Sequence, residues 1–482
     1  MQWWQSLLVE ISAIVGVVLV LVTIPWILAI KKEATSATAW CLLVFFVPYV
    51  GFLLFVLFGY QHVHRHIRRK QRHRQLFRRM LPETWKQLRT APDEEAREDA
   101  TAKKMVRLAR RFDAFPLSHD NRVKFYFCGE PAFEDILETI KAARHHIHVQ
   151  SFIVQPDTFG KSFLELLTRK AREGVQVRLL YDAMGSYRLH RWMLRPLREA
   201  GGKAAAFLPL DVLRRRLQIN LRNHRKILVV DGRVAYTGGM NIGNEYLGKS
   251  PRFGFWRDTH FRLEGPAVTG LQYIFLEDWD FAADEPLDQA EYFPPLAAAG
   301  DEPVQVVYSG PDQELKSIRE VYFAAIQSAR RRLWIASPYF VPDQGLRDAL
   351  ALAGYLGVDV RLLGQYHPDK WVPFFAARYY WADMLEAGVK LYQYTKGMMH
   401  SKIVLVDDDW ASVGTANLDN RSLHLNFEAN CLFYSPGTVK LLENAFLDDL
   451  SVSIRLKKKV FEQRPFPSRL VENGCRLLSP IL

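Results

Sequence analysis

The hydrophobic pattern of the chain falls into two regimes. Residues 11–30 (ISAIVGVVLVLVTIPWILAI) and 39–60 (AWCLLVFFVPYVGFLLFVLFGY) carry no charge. At 1.5 Å per residue, twenty such residues reach about 30 Å, one hydrocarbon thickness. The pattern predicts two transmembrane helices, about 11–30 and 39–60. Ala37-Thr38-Ala39 resembles a signal-peptide cleavage site, but MQWWQS lacks a basic lead and a second span follows at once, so both helices are expected to be retained. From about residue 122, short apolar strand-like runs alternate with amphipathic stretches, which predicts α/β layers. They are built twice. ARHHIHVQS (143–151) parallels ARRRLWIAS (329–337), and GVQVRLL (174–180) parallels GVDVRLL (357–363). The stretch 293–303, rich in Pro, Ala and Gly, is the natural joint. The expected organisation is a membrane hairpin (1–60), a basic juxtamembrane linker (61–121), and two α/β domains (122–298 and 299–482).

Charge refines this picture. A formal net charge of +12 points to an anionic partner. Eight Lys or Arg lie between Arg65 and Arg79, against two lysines in the loop between the spans. The positive-inside bias therefore puts the large C-terminal part in the cytoplasm, with the basic stretch as a solvated collar against anionic headgroups. His62, His64 and His66 alternate there like a metal tag, but arginines interrupt them and they are read as part of the collar. Cys41, Cys128, Cys431 and Cys475 stand far apart and are read as reduced thiols, not zinc ligands. His145, His146 and His148 have no evident carboxylate or cysteine partner and are read as strand surface or packing.

The chemistry lies in a doubled motif. His224-Arg225-Lys226-Ile-Leu-Val-Val-Asp231 matches His400-Ser401-Lys402-Ile-Val-Leu-Val-Asp407, and seventeen residues past each His stands an asparagine, Asn241 or Asn417, in a glycine-containing context. On a strand, residues two apart share a face, so each His–Lys pair points one way. Asp231 and Asp407 lie at an odd separation and are read as supports behind the motif. If the repeats pack around a pseudo-twofold axis, both His–Lys faces meet in one cleft. Two lysines and two asparagines suit the oxygens of a phosphate. No carboxylate cluster has magnesium spacing, so no metal or cofactor is expected and the lysines supply the neutralising charge. One imidazole attacks phosphorus and the other protonates the leaving oxygen. Glu428 and Asp258, which follow the two motifs, are the candidate orienting carboxylates.

These segments resemble the HKD motifs of the phospholipase D superfamily. RNHRKILVVDG, YTGGMNIGNEYLG, FGFWRDTHFRLEGPAV and HSKIVLVDDDWASVGTANLDNRSLHLNFE are similar to bacterial cardiolipin synthases, as are the N-terminal hairpin and the C-terminal SRLVENGCRLLSPIL. The resemblance implies two phospholipase D-like α/β/α sandwiches around a shared site, a phosphohistidine intermediate, and phosphatidyl transfer between two phosphatidylglycerols at the bacterial inner membrane. Catalytic motif residues are then His224, Lys226 and Asp231 with His400, Lys402 and Asp407, with His224 as nucleophile and His400 as general acid, then base. Asn241, Asn417, Asp258 and Glu428 bind phosphate or orient the imidazoles. Glu428 lies 28 residues after His400, where the family places its orienting glutamate; in the first half that spacing falls on Arg252, and a short insertion would restore the role to Asp258. Where the family more often has Ser after the first glycine of the asparagine motif, this chain has Gly239 and Thr415. Arg214, Arg215, Arg216 and Arg222 are candidates for a second lipid phosphate, and the aromatic segment 370–381 for headgroup-level contact or core packing. Two other activities share this chemistry: hydrolysis to phosphatidic acid, and transfer from phosphatidylethanolamine. A nucleic-acid phosphodiesterase is disfavoured by the absence of a basic-aromatic stripe.

Overall fold

Strand order reveals the internal repeat. The computed structural model describes residues 2–30, 34–59, 63–80, 100–209 and 220–482. The first half contributes strands β1 (Ser118–Cys128), β2 (His146–Ser151), β3 (Gln176–Asp182), β4 (Lys203–Phe207), β5 (Ile227–Val230), β6 (Val234–Gly238) and β7 (Phe255–Glu264). The second contributes β8 (Glu302–Ser309), β9 (Arg332–Ala336), β10 (Phe340–Val341), β11 (Asp359–Gln365), β12 (Lys390–Tyr394), β13 (Gly397–Met399), β14 (Ile403–Val406), β15 (Trp410–Gly414), β16 (Leu418–Asp419), β17 (Glu428–Phe433) and β18 (Ser453–Arg455). In space the first set runs β4-β3-β2-β5-β6-β7-β1, and the second β12-β11-β9-β14-β15-β17-β8, with β18 added at the outer edge. The orders are equivalent position by position. In each half three parallel strands are joined by helical crossovers. The halves join where β1 pairs antiparallel with β8, its own equivalent, at Ser118↔Val304 and Asn121↔Glu302. An antiparallel pair of equivalent strands is what a local twofold axis requires. Both halves belong to one compact unit, Lys70–Leu482.

Each half has its own apolar core. The first is built around Phe133, Ile140, Leu167, Leu179 and Tyr236, the second around Val321, Leu333, Leu350, Met384 and Leu432. The segment expected as a linker is partly built into the second core. Helix Ala100–Arg111 buries Ala102, Met105, Val106 and Ala109, a helical i, i+3, i+4, i+7 face.

The basic collar needs a similar correction. The helix Val63–Met80 carries Lys70 and Arg74, and both are buried. Lys70 Nζ lies 2.8 Å from Asp278 Oδ1 and 3.4 Å from Glu277 Oε1, and donates to the Glu277 carbonyl at 2.9 Å. Arg74 pairs with Asp113 at 2.7 Å and Glu277 at 3.4 Å. Burial alone would depress the Lys70 ammonium; Asp278 and Glu277 outweigh it and hold its pKa above the ordinary value. These two cations are fixed by an internal acidic cluster rather than by lipid. Of the collar histidines, His62 and the side chains of His64 and His66 lie outside the described residues, as do Arg214, Arg215 and Arg216.

The other unit, Met1–Arg69, contains the apolar helices. The first runs Gln2–Ile30, longer than expected, and has the length and composition to cross a membrane. The second expected span is divided. Helix Ala34–Phe46 breaks at Val47, and Pro48 opens a short helix, Pro48–Leu54, that runs into a wide turn at Phe55–Gly59. A proline ring cannot supply the amide hydrogen of a continuous helix, which accounts for the break. Ile27, Ala37, Val44 and Phe55 form a small core here, and Tyr49 Oη donates to the Ser12 carbonyl at 2.5 Å.

Replacing Lys70 by Met keeps its bulk but takes one of the cations from the buried Asp278 and Glu277, leaving them Arg225 and Arg74. The expected loss is about 3–5 kcal/mol, read as a lowered unfolding midpoint of the full chain in detergent; Arg68→Met, at an exposed position of the same helix, is expected to leave the midpoint unchanged.

Candidate active site

The two motif histidines sit at equivalent places in the two half-sheets. His224 and Lys226 precede β5, whose first residue Ile227 pairs with Gln150 near the C-terminal end of β2. His400 and Lys402 precede β14, whose first residue Ile403 pairs with Ala336 at the end of β9. The regular ladder starts at Ile227 and Ile403, so the histidines lie in the extended lead-in rather than in the strand. Each lead-in is tied to the other half of the molecule. His224 N–H donates to the Phe427 carbonyl at 2.9 Å, and His400 N–H to the Arg257 carbonyl at 2.8 Å. β13, just before His400, runs parallel to β7 with Met399 opposite Arg257.

The side chains repeat the exchange. His224 Nδ1 lies 3.0 Å from Glu428 Oε2, and His400 Nδ1 lies 2.6 Å from Asp258 Oδ2. Each histidine is therefore oriented by a carboxylate from the opposite half. With Nδ1 turned to an acceptor, Nε2 is the ring nitrogen left for chemistry. The histidines are 8% and 7% exposed, and the lysines 2% each. Lys226 Nζ donates to the His224 carbonyl at 2.7 Å; Lys402 Nζ does the same to the His400 carbonyl and lies 2.9 Å from the His400 ring.

Sheet register explains the displaced carboxylate. Gly238 of β6 pairs with His260 of β7, and Gly414 of β15 pairs with Asn430 of β17. Counting back two residues from each partner gives Asp258 and Glu428. They are structural equivalents, and the shift from position 252 to 258 is a longer loop before β7. The residues after the glycines follow the same logic. A Cβ on Gly239 would come within 1.9 Å of Asp258 Oδ1, so only glycine admits the shorter carboxylate. Thr415 acts differently, since its hydroxyl donates to Glu428 Oε2 at 2.5 Å.

Asp231 and Asp407 do not face the cleft. The Asp231 carboxylate accepts from the backbone N–H groups of Arg144, His145 and His146, and that of Asp407 from Arg330, Arg331 and Arg332. These motif aspartates clamp the start of β2 and β9 from a tight turn at positive φ (53° and 48°). Asn241 Oδ1 accepts from Ile153 N–H at 3.1 Å and its amide donates to Tyr246 Oη at 2.8 Å; Asn417 Nδ2 donates to Asp419 Oδ2 at 3.2 Å. Each side-chain amide keeps a second N–H. Arg222 is buried beside Asp182 at 3.4 Å.

Sequence reasoning passed over several neighbours. Arg225, between the first His and Lys, is buried and turned away from the cleft: it donates to Asp278 at 2.7 Å and to the Glu428 carbonyl at 3.1 Å. Asp278 is also the partner of Lys70, so the basic helix is two residues removed from the strand that holds Glu428. Phe152 packs on the His224 ring and Trp256 on that of His400, with centroids 5.0 and 5.2 Å apart. His146 and His148 are packing residues, as expected: His148 stacks on Phe275.

Electrostatics tie the two motifs together. Burial, then Lys226, Lys402 and His400, hold His224 well below its ordinary pKa. Burial and Lys402 bring His400 to about 4 against the pull of Asp258, and burial brings Lys402 down to about 8. Burial raises Glu428 to about 7. For Asp258 burial acts upward, but Lys402 and His400 outweigh it and keep the carboxylate below its ordinary value. Burial disfavours the charged forms of both lysines and both histidines, and a bound anion would favour them.

A family model described as "Cardiolipin synthase, PLD-like domain" matches residues 136–250 and 322–450, and one described as "Phospholipase_D-nuclease N-terminal" matches 17–59. The cardiolipin synthase of Geobacillus kaustophilus is 41% identical over 94% of this chain and 90% of its own length; cardiolipin synthase 2 of Bacillus cereus is 42% identical over 94% and 88%. The chain belongs to the phospholipase D-like cardiolipin synthase family. The phosphatidylserine synthase structure from Haemophilus influenzae shares the fold, with TM-score 0.61 at 17% identity over 79% of this chain and all of that one. Membership in the family carries an enzyme class, phosphatidyltransferase, and the site described above has the symmetry that two motif copies demand.

The pKa of Lys402 sets a pH limit. Its charged form persists below about 8 and is lost above it. In proteoliposomes kcat/KM, which reports the free enzyme, is expected to fall as pH rises through about 8; a rate still rising at pH 10 would contradict the role of this charge.

Proposed function

We propose that the chain joins two phosphatidylglycerol molecules into cardiolipin and glycerol through a phosphohistidine on His224. The crossed His–carboxylate pairs, with a lysine beside each ring, carry this reading. His224 Nε2 attacks the phosphorus of the first lipid, the bond from phosphorus to the glycerol oxygen breaks, and the proton on His400 Nε2 goes to that oxygen. The second phosphatidylglycerol then gives its terminal hydroxyl proton to His400, its oxygen attacks phosphorus, and the P–N bond breaks. Lys226 and Lys402, with the remaining amide hydrogens of Asn241 and Asn417, neutralise the phosphate oxygens.

The assignment of roles rests on the unequal carboxylates. Asp258 stays charged, bonds His400 at 2.6 Å and pulls against the burial and the Lys402 charge that hold this ring at about 4; a bound phosphate offsets Lys402 and lets His400 carry the proton that the acid needs. Glu428, raised to about 7, offers His224 less negative charge and leaves its ring neutral, as a nucleophile needs. In this reading residues 1–60 form a two-helix membrane hairpin, 122–298 and 299–482 are the two phospholipase D-like domains, and the catalytic part lies on the cytoplasmic face of the bacterial inner membrane.

Full-length protein reconstituted in phosphatidylglycerol vesicles, followed by lipid mass spectrometry, tests the reaction. Cardiolipin and glycerol in equal amounts are expected. Phosphatidic acid alone would mean that water is the acceptor, and ethanolamine release from mixed vesicles that phosphatidylethanolamine is the donor. His224→Ala is expected to lower the rate by about a thousandfold or more without loss of folding, and a normal rate would refute the nucleophile.

A further inference from the structure

A diacyl lipid cannot leave the bilayer cheaply, since each buried CH₂ is worth about 0.8 kcal/mol. If the substrate is a phospholipid, as proposed above, its phosphate must reach the histidines while its chains remain in the membrane. Some part of the protein surface around the cleft must therefore touch the bilayer.

Two loops occupy that position. The first follows β3. Its root, Asp182, accepts from Asn223 N–H at 2.9 Å, one residue before His224. Ser186 Oγ donates to the carbonyl of Phe152, whose ring packs on His224. The second follows β11, the equivalent strand. There Tyr339 Oη donates to Asp369 at 2.5 Å, Asp369 acts on the charge of His400, and Lys370 acts on that of His224. Both loops thus rise from strand ends beside the two imidazoles.

What they expose is unusual. Tyr187 and Trp192 are 71% and 70% exposed on the first loop, and Trp371 is 61% exposed on the second, next to exposed Val372. This is not a failure to pack: the first segment buries Leu189, Leu194 and Leu197, and helix Trp371–Glu386 buries Ala376, Ala377, Tyr380 and Trp381. Exposed arginines 188 and 191 flank the first pair of rings, and exposed Lys370 the third. No carboxylate occurs between residues 183 and 198. Amphipathic rings beside cations are the composition of a headgroup-level contact. Segment 370–381 therefore divides, its first turn facing outward and its later turns entering the core.

We propose that these two loops form the membrane-docking rim of the cleft. Tyr187, Trp192 and Trp371 insert at the headgroup level of an anionic bilayer, and Arg188, Arg191 and Lys370 engage its phosphates. The rim seats the cleft on the lipid surface, so that substrate enters from the bilayer and bulk water is excluded.

Full-length protein carrying Trp192→Cys or Trp371→Cys, with Cys41, Cys128 and Cys475 changed to Ser, would be labelled with an environment-sensitive fluorophore and reconstituted in phosphatidylglycerol/phosphatidylcholine vesicles. Both labels are expected to shift to the blue and to be quenched by headgroup-level spin-labelled lipid. A label at Leu356→Cys, exposed at the other end of β11, is expected to do neither. Water-like emission at 192 and 371 would overturn the proposal. So would a shift that follows protein concentration rather than lipid, which would assign the face to a second copy. Trp192→Ala with Trp371→Ala is expected to raise the lipid mole fraction for half-maximal rate about tenfold with kcat unchanged. Docking without cardiolipin formation would defeat the substrate reading and leave the rim standing; cardiolipin formation with undocked labels would do the reverse.

Discussion

The site depends on one exchange: each motif imidazole takes its backbone anchor and its carboxylate from the other half of the molecule. His224 leans on Phe427 and Glu428, His400 on Arg257 and Asp258. Neither half holds a complete site. The antiparallel β1–β8 pair sets the axis, and β13 crossing to β7 completes the strap. Misplacing the halves by one residue of register would turn these side chains to opposite faces of the sheet. The same hydrogen bonds that join the domains thus fix the position of the reactive nitrogens, so assembly and catalytic geometry cannot be varied separately.

That exchange also gathers charge in a dry place. Lys226, Lys402 and two histidines crowd around Glu428 and Asp258, and burial acts against the charged forms of the lysines and histidines. Each lysine eases part of this tension by donating to the carbonyl of its own histidine. Such a site is prepared for an anion. Behind it, Asp278 joins Arg225, Asn223 and Gln150 to Lys70, so a second buried network runs from the back of the first motif to the basic helix. Removing that helix would take both Lys70 and Arg74 from Glu277 and leave Asp278 with Arg225 alone.

The doubled motif and the α/β alternation were legible because they are local patterns: fixed spacings and apolar periods. The exchange of carboxylates was not, because spacing along the chain does not say which half a side chain will cross to. Asp258 illustrates the limit. Counting from His224 lands on Arg252, and only the pairing of Gly238 with His260 restores the equivalence with Glu428. Lys70 and Arg74 were hidden for another reason. A run of cations reads as a solvated surface until its carboxylate partners, more than two hundred residues away in Glu277 and Asp278, are brought beside it. Pro48, by contrast, is a local signal, and it outweighs the long apolar run in which it stands.

The departures from symmetry fall at the two carboxylates. A perfect twofold would make the histidines interchangeable. Here the first half has a short carboxylate, admitted by the bare backbone of Gly239, and the second a long one that accepts from Thr415. The pair of substitutions is coupled: a side chain at 239 would collide with Asp258, and a glycine at 415 would strip Glu428 of a donor. The outcome is one carboxylate held charged and one driven toward neutrality within the same cleft, with Lys402 helping the first and burial the second. The frame supplies two equivalent places, and the choice of Asp with Gly or Glu with Thr makes their electrostatics unequal.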